Sequence, residues 1–599
     1  VELNAEQRRA VEAVRGPVCI LAGAGSGKTT TITHRIANQV ATGTFAAGEI
    51  LAVTFTDKAA GELRARLQAL GAPGVTARTF HAAALGQLHR FAPERVGKLV
   101  ASKAIPLRHL ARSLPKAFRF RPVADLATEI EWAKNRRIPP ERYRRELGDH
   151  EPPVPADLVQ RIYAQYERGK REQGFVDFED LLELAIRMYE EDEHALAELR
   201  QRYRAFTVDE YQDVNLLQQS VLDLWVGPRD DLCVVGDDYQ SIYSFTGASP
   251  EYLLAMTTRF PNATVIRLEE NYRSTPEVLT LANRLVPRLG GAAKTLRATR
   301  PGGPEPEVAR VADEPAWVVE RIRALDCPND EIAILARTNA RLADFEPALH
   351  AARIPYQGSS FLAREAARYV LRRLRSPQDV RSLAFSLGWE EQPPKDLGER
   401  EAVRQADLGR LVQLADELAA LDGPAFVAEL ERRYGDGGDA RRGVHLLTLH
   451  GAKGLEFTAV FVVHVEEKEL PVRQAKTPAA IVEERRLLYV GLTRAKRSLH
   501  VTWTRSPSRF LAELGIAPEP ARREADPDDP LFAALKRWRL DRARADDVPA
   551  YVVFHNSTLA EVAARKPRTR DELARVPGVG PTKLERYGED VLAALAAAG

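Results

Sequence analysis

Two kinds of pattern divide the chain: short continuous apolar runs bounded by turn residues, and longer charged stretches with helical spacing. Val18-Cys19-Ile20-Leu21 is an apolar run that enters a glycine-rich loop, and a helical segment follows. Ile50-Leu51-Ala52-Val53-Thr54-Phe55 reads as a second buried strand. Helix, strand, glycine loop, helix and strand over residues 1–80 predict a parallel sheet with crossover helices. From about residue 90 to 200 the pattern becomes amphipathic helices rich in Arg and Glu, the mark of a helical insertion. Ala205-Phe206-Thr207-Val208 and Leu232-Cys233-Val234-Val235 return to β-rich runs that complete the first sheet. Pro301-Gly302-Gly303-Pro304 lies just inside a second α/β region, whose strands include Ile332-Ala333-Ile334-Leu335, Leu446-Leu447-Thr448-Leu449 and Val460-Phe461-Val462-Val463. Between these, about 365–440 is helical and charged, which predicts a second insertion. The acidic run Ala525-Asp526-Pro527-Asp528-Asp529-Pro530 reads as a linker to a compact helical domain over 531–599.

Composition narrows the function classes. A chain of 599 residues suggests about three to six domains and excludes a disulfide scaffold or a single small module. Lys+Arg (86) nearly balances Asp+Glu (84), which argues against a histone-like coat and leaves anion binding to local arrangement. Cys19, Cys233 and Cys327 are too far apart for a metal spacing or a disulfide framework, and a reduced cytosol is the simple reading. No apolar run approaches the ~18 residues of a transmembrane helix, and the first residues carry no basic-then-apolar signal. The expected location is cytoplasmic, with no membrane partner.

Ala22-Gly23-Ala24-Gly25-Ser26-Gly27-Lys28-Thr29-Thr30 sits between a strand and a helix. Backbone N–H groups around Gly25 and Gly27, with the helix N-terminus, make an anion nest. Lys28 can reach β/γ-phosphates and Thr29 can ligate Mg²⁺. Ala22 stands where the phosphate-loop pattern has its first glycine. After a later strand, Val208-Asp209-Glu210-Tyr211-Gln212-Asp213 supplies a carboxylate pair: Asp209 to hold Mg²⁺, Glu210 to position or deprotonate an attacking water.

These and further motifs resemble the UvrD/Rep/PcrA-like DNA helicases of superfamily 1A, of the UvrD-like type with a C-terminal HRDC domain. The match runs in order through Leu3-Asn4-Ala5-Glu6-Gln7, Thr54-Phe55-Thr56-Asp57-Lys58-Ala59-Ala60, Thr79-Phe80-His81, the Asp209–Asp213 run, Gly236-Asp237-Asp238-Tyr239-Gln240-Ser241-Ile242-Tyr243 and Asn271-Tyr272-Arg273-Ser274. It continues through Thr448-Leu449-His450-Gly451-Ala452-Lys453-Gly454-Leu455-Glu456-Phe457 and Arg485-Arg486-Leu487-Leu488-Tyr489-Val490-Gly491-Leu492-Thr493-Arg494-Ala495. The resemblance implies two RecA-like P-loop lobes with helical insertions. They are lobe 1A (1–89 and 201–279), insertion 1B (90–200), lobe 2A (280–364 and 441–524), a short insertion 2B (365–440), a linker (525–530) and an all-α HRDC-like domain (531–599).

It also assigns roles. Glu210, Gln240, Arg273 and Arg494 are the expected catalytic residues. Gln7, Gly25, Gly27, Lys28, Thr29, Thr30, Arg35, Tyr272 and Glu456 are expected to hold ATP, and Thr29 and Asp209 its Mg²⁺. Phe55, His81, Phe178, Tyr243, Phe245, Arg337, Asn339, Thr448 and His450 are expected along a single strand of DNA, where aromatic stacking and a basic groove serve. The implied activity is ATP-dependent single-stranded DNA translocation and 3′-5′ unwinding in DNA repair or replication. Tailed duplexes or junctions, and repair proteins, are the implied partners, and the protein would act as a monomer or a DNA-induced dimer. Two other readings stay open: the motor subunit of a helicase–nuclease complex, and an ATP-gated nucleic-acid clamp with little unwinding. RNA as the track also stays open.

Three departures from the family pattern stand out. Phe245-Thr246-Gly247-Ala248 has Thr246 where an arginine is usual. The stretch between Arg337 and Thr448 is much shorter than in typical members. Only Trp503-Thr504-Arg505-Ser506 stands where members carry a β-hairpin pin. These predict intact translocation and weak unwinding by a monomer. In the tail, a basic helix opening at Leu531 and the Gly578-Val579-Gly580 turn resemble the HRDC domain of RecQ helicases, with Lys536, Arg537, Arg539 and Lys583 as candidate phosphate contacts. That the tail binds protein instead is the alternative.

Overall fold

The computed structural model describes residues 2–100, 102–115, 118, 123–358, 361–394, 397, 399–419, 421–434, 442–516, 530–546, 553, 554, 556–574, 576, 579 and 581–598. The chain forms two compact units, Val1–Ile516 and Ala517–Gly599.

The first unit is built on two all-parallel sheets, each of six described strands. The first contains β1 (Val18–Ala22), β2 (Ile50–Thr54), β3 (Thr76–Thr79), β4 (Ala205–Val208), β5 (Leu232–Gly236) and β6 (Thr264–Leu268), in the order β3-β2-β4-β5-β1-β6. Every residue of β1, β2, β4 and β5 is buried, as befits central parallel strands covered on both faces. That is why their sequences read as unbroken apolar runs. The edge strand β3, Thr-Ala-Arg-Thr, alternates instead and lacks such a run. Val18 pairs with Cys233 on one side and Thr264 on the other. The C-terminal ends of β1, β4 and β5 therefore open on one edge, where ligands bind in open α/β sheets.

The second sheet contains β7 (Glu307–Arg310), β8 (Ile332–Ala336), β9 (Tyr356–Gly358), β10 (Val444–Thr448), β11 (Phe457–Val462) and β12 (Ala495–Trp503), in the order β7-β12-β11-β8-β10-β9. The apolar runs predicted over 332–335, 446–449 and 460–463 coincide with β8, β10 and β11 to within a few residues at their ends. A shared apolar core joins the two sheets: Ala24, Tyr239 and Ile242 from the first meet Leu335, Leu449, Val460 and Leu488 from the second, with Leu279, Leu285, Leu289 and Leu296 of the crossover segment between them.

The first insertion packs helices Val123–Asn135 and Ala156–Gln173 around Leu126, Ile130, Tyr143, Ile162 and Tyr166. The second packs helices Glu365–Leu371, Asp379–Ser386, Glu399–Glu417 and Gly423–Tyr434 around Val380, Leu411, Phe426 and Leu430. After β12 the chain turns directly into the helix Arg509–Glu513. The turn is held by Glu466, which accepts from the Thr504 N–H at 2.8 Å and its hydroxyl at 2.7 Å. Among the described residues no helix is long and apolar enough to cross a membrane.

The second unit contains helices Pro530–Ala545, Asn556–Arg565, Arg570–Ala574 and Pro581–Ala598, closed over Leu535, Phe554, Leu559, Leu573 and Val591. Lys536 and Arg537 are exposed, and Lys583 lies over the Phe554 ring at 5.3 Å. Arg539, expected to contact phosphate, is instead buried and donates to the Phe554 carbonyl at 2.9 Å. Residues 525–529 of the expected linker, and Gly578 and Gly580 of the expected phosphate-facing turn, lie outside the described residues.

Candidate active site and nucleic-acid interface

The phosphate loop leaves β1 and enters the helix Lys28–Ala41 through two left-handed residues, Gly25 (φ +65°) and Gly27 (φ +78°). Side chains there would collide as well as strain: a Cβ on Gly27 would lie 2.6 Å from Gln7 Nε2, and one on Gly25 would lie 2.7 Å from Arg273 Cβ. The loop is thus moulded between Gln7 and the start of the crossover segment. Gln7 is buried and donates to the Ser26 carbonyl at 3.1 Å, while its own oxygen completes a capping box with Asn4. Asn271 Nδ2 donates to the Ala24 carbonyl at 2.6 Å and the Tyr272 N–H to the Gly25 carbonyl at 2.9 Å. The Tyr272 ring is exposed, with its hydroxyl donating to Glu270 at 2.9 Å. Gln7 and Tyr272 therefore meet the same loop from two distant chain segments.

Lys28 Nζ lies 2.8 Å from Glu210 Oε1. Asp209 follows β4 and accepts the Glu210 N–H at 2.9 Å, and Glu210 adopts a left-handed conformation (φ +51°) that turns its side chain into the cleft. Desolvation and the neighbouring Glu210 charge raise the Asp209 pKa to about 6, with Lys28 opposing. Desolvation also pushes Glu210 up, but Lys28 and Lys453 outweigh it and hold the carboxyl down to about 2. Glu210 in this arrangement is suited to orienting a water; as a base it is weak. The hard oxygen donors Asp209 and Thr29, beside a cradle that no side chain could fill, fit a hydrated Mg²⁺ with its phosphates. Thr30 follows on the same first turn of the helix.

Four further positions complete the cleft: Gln240, just after β5 of the first sheet, and Arg273, Glu456 and Arg494 from the crossover segment and the second sheet. Gln240 Nε2 donates to Asp237 Oδ2 at 2.6 Å, and its Oε1 accepts from Arg494 Nη2 at 3.1 Å. Arg494 is buried and also donates to the Val490 carbonyl at 2.9 Å and the Leu455 carbonyl at 3.2 Å. Arg273 Nε donates to Glu456 at 2.7 Å, and Lys496 lies 3.1 Å from the other oxygen of that carboxylate. The sequence assignments thus converge from both sheets on one cleft. Arg35 does not join them: it lies two turns into its helix, buried, with Nε on the Ala13 carbonyl at 3.0 Å. It braces the first helix of the chain against the second.

Sequence reasoning did not single out Lys453, Gln212, Asp213 or Asp237 as functional, although all stand inside motifs it identified. Lys453 crosses from the second sheet to Asp213 Oδ2 at 2.5 Å and the Gln240 carbonyl at 2.6 Å. Gln212 Nε2 donates to Glu210 at 2.5 Å and Asp213 at 3.1 Å, and its oxygen accepts the Asp237 N–H at 2.8 Å. A lysine fixed in register with a carboxylate motif was the available signal.

The nucleic-acid candidates fall into two aromatic groups. Tyr243, Phe245 and His450 have ring centroids 5.7–6.2 Å apart, drawn from both sheets, and Phe245 is exposed. His81 and Phe178 meet edge to face at 5.9 Å, with Phe178 exposed. Burial, then the nearby Lys103, lowers the His81 pKa to about 4, so its imidazole is neutral near pH 7 and suits a base better than a phosphate. Phe55 is half-buried against Phe80 at 6.3 Å. Thr448 Oγ1 accepts from the Gly451 N–H at 3.1 Å, and Asn339 is exposed at the start of a short helix. Arg337 departs from expectation: it is buried and holds Glu484 with Nε at 3.0 Å and Nη2 at 2.9 Å, so its charge is directed into the protein. The Thr246 hydroxyl donates to the Tyr243 carbonyl at 2.9 Å, and the Thr246 carbonyl accepts from Asn135 of the first insertion at 2.7 Å.

Comparison with known proteins gives the family. The profile of the UvrD/REP helicase N-terminal domain matches residues 3–261, that of the UvrD-like helicase C-terminal domain 266–402 and 399–506, and that of the HRDC domain 528–595. The ATP-dependent DNA helicase UvrD2 of Mycobacterium tuberculosis is 42% identical over 691 aligned positions, covering 98% of this chain and 97% of its own. Those positions exceed the 599 residues present here, so that relative carries insertions this chain lacks. DNA helicase II of Escherichia coli is 30% identical, over 86% of this chain and 87% of its own. The solved D. radiodurans RecQ HRDC domain 3 is 42% identical, covering 12% of this chain and 95% of its own, with a TM-score of 0.12.

Proposed function

The chain belongs to the UvrD/Rep helicase family as an ATP-dependent DNA helicase of two RecA-like lobes and an HRDC domain, and from that premise we propose that it is a motor that translocates 3′ to 5′ along single-stranded DNA in repair or replication. The observation that carries this reading is a join between the two kinds of site. The aromatic group of Tyr243, Phe245 and His450 is built from both lobes, and Lys453, 4.9 Å from the Tyr243 ring, also holds Asp213 and the Gln240 carbonyl. A change in lobe separation therefore alters the nucleotide and DNA sites together, the two-state element that stepping needs.

In hydrolysis, a water oriented by Glu210 attacks the γ-phosphorus, the bond to the bridging β-γ oxygen breaks, and a proton leaves the water for the phosphate product. Lys28, Gln240, Arg273 and Arg494 face the charge that builds on the transferred group, where positioned donors act most strongly. Thr29 and Asp209 would hold Mg²⁺, which when bound neutralises phosphate charge.

Translocation is tested by DNA-stimulated ATP turnover on single strands of increasing length, with tailed duplexes setting polarity. A motor gives turnover that depends on length and, with the full chain in excess over DNA, opens 3′-tailed in preference to 5′-tailed substrates. A clamp gives turnover independent of length, and that result would displace this proposal.

A further inference from the structure

Lys294 lies on the segment Glu269–Pro306, which crosses from the first sheet to the second. Its side chain is 1% exposed, and its ammonium lies 3.0 Å from Asp237 Oδ1, against Asp238 Oδ1 and 3.5 Å from the Tyr239 ring centroid. Both carboxylates are fully buried. The crossover backbone is shaped to this pair. The Ala292 N–H donates to Asp238 Oδ2 at 2.9 Å, the Lys294 N–H donates to the Tyr239 hydroxyl at 3.3 Å, and a Cβ on Gly291 would stand 1.9 Å from Asp238 Oδ2.

The other oxygen of Asp237 accepts from Gln240 Nε2, which leaves Gln240 Oε1 to face Arg494. Asp237 Oδ1 also accepts the Tyr239 N–H at 3.2 Å. If the Asp237 carboxylate turned away, Gln240 Nε2 would lose its acceptor and the carboxamide would no longer be held with its oxygen toward the guanidinium. We propose that Lys294 is a positioning residue of the ATPase centre: through Asp237 it fixes the orientation of Gln240, and because it rides on the crossover it ties that orientation to the relative placement of the lobes. The inference rests on the reading of Gln240 and Arg494 as ATPase groups.

Stability alone does not account for the arrangement. A buried ion pair contributes little over well-packed apolar residues of the same volume. Desolvation works to discharge Lys294, yet Asp237 and Asp238 outweigh it and raise its pKa, so the cation is maintained.

The test is a double-mutant cycle of Lys294→Met and Gln240→Ala in the full chain, read as steady-state ATP turnover with saturating single-stranded DNA, with KM and a thermal melt for each protein. Lys294→Met should lower kcat about tenfold or more while leaving KM within about threefold, and should add little to the loss already caused by Gln240→Ala. Lys294→Met turnover within about twofold of the parent, or losses that multiply in the double variant, would overturn the proposal. If Lys294→Met does not fold, Lys294→Met/Asp238→Asn restores the buried charge balance and is read by the same two outcomes. Parental turnover in Gln240→Ala alone would instead remove the underlying reading of the site, whatever Lys294→Met does.

Discussion

Arg494 extends from the second lobe to place Nη2 3.1 Å from Oε1 of Gln240, whose amide nitrogen is held by Asp237 of the first lobe. The contact joins two sheets that carry separate halves of the site. Its strength depends on lobe approach to within a fraction of an ångström, because a hydrogen bond weakens steeply beyond normal length. A group so placed contributes to the chemical step only in the closed arrangement, so binding and turnover should separate on mutation.

Arg494→Ala should retain nucleotide binding and lose turnover by roughly 10²–10³-fold or more. Equilibrium titration with a fluorescent ATP analogue and steady-state ATPase with saturating single-stranded DNA measure the two quantities. Near-normal turnover would defeat the assignment.

The pH profile follows from Asp209. Desolvation, reinforced by Glu210 and partly relieved by Lys28, raises its pKa to about 6. A carboxylate that holds Mg²⁺ must be ionised, so kcat/KM for Mg-ATP should fall as pH drops through about 6 rather than near 3.8. The sign for stability is opposite. The folded chain binds this proton more tightly than the unfolded chain, so the stabilisation is full below 3.8 and lost as pH rises through about 6. Asp213 is also raised to about 6 by burial, with Lys453 opposing. Asp213→Asn separates the two carboxyls: the acid limb should persist in that variant, and its disappearance would reassign the limb.

Phe245→Ala and His450→Ala should each weaken single-stranded DNA binding by about tenfold, the lower part of the range for one lost stacking partner. The rings touch at 5.7 Å, so the double variant should lose less than the product of the two. Fluorescence anisotropy with a labelled oligonucleotide checks both, and unchanged affinity in both single variants would place the strand elsewhere.

Arg337→Ala should behave as a stability variant. Its side chain and that of Glu484 are each 7% exposed, and removing one member of a buried pair costs about 3–5 kcal/mol. Denaturant unfolding should show the loss, while the DNA affinity of the folded fraction stays near that of the parent. A large affinity loss at unchanged stability would restore the expected DNA-binding role.

What was legible in the sequence follows from how each signal arises. Central parallel strands are buried on both faces, so β1, β2, β4 and β5 appear as apolar runs, and the glycine loop after β1 is demanded by backbone conformation at Gly25 and Gly27. Such constraints act locally and leave local traces. Long charged side chains take partners far away in sequence. Arg337 meets Glu484 across 147 positions and Lys453 meets Asp213 across 240, while Arg35 and Arg539 bond to carbonyls that have no sequence signature. Motif resemblance located these residues but not their direction, which is why Arg35, Arg337 and Arg539 differ from expectation and Lys453 and Lys294 emerged only with the fold.

The last expectation concerns unwinding. The second insertion is a small four-helix body among the described residues, and only five residues separate the end of β12 at Trp503 from the helix at Arg509, with Glu466 fastening the turn. Nothing described at that turn projects as a wedge between separating strands. Stepping depends on the lobe contacts and the aromatic group, which are present, whereas duplex opening also needs a surface that keeps parted bases from re-pairing. The chain should therefore translocate on single-stranded DNA yet stall as a monomer on a 3′-tailed duplex, opening it efficiently only when several molecules follow one another or when residues 531–599 engage the junction. Single-turnover unwinding with a trap, at protein below and above the DNA concentration and with and without residues 531–599, measures each case. Rapid full unwinding by a monomer lacking those residues would show that another surface performs the separation, and the second insertion would be the first place to seek it.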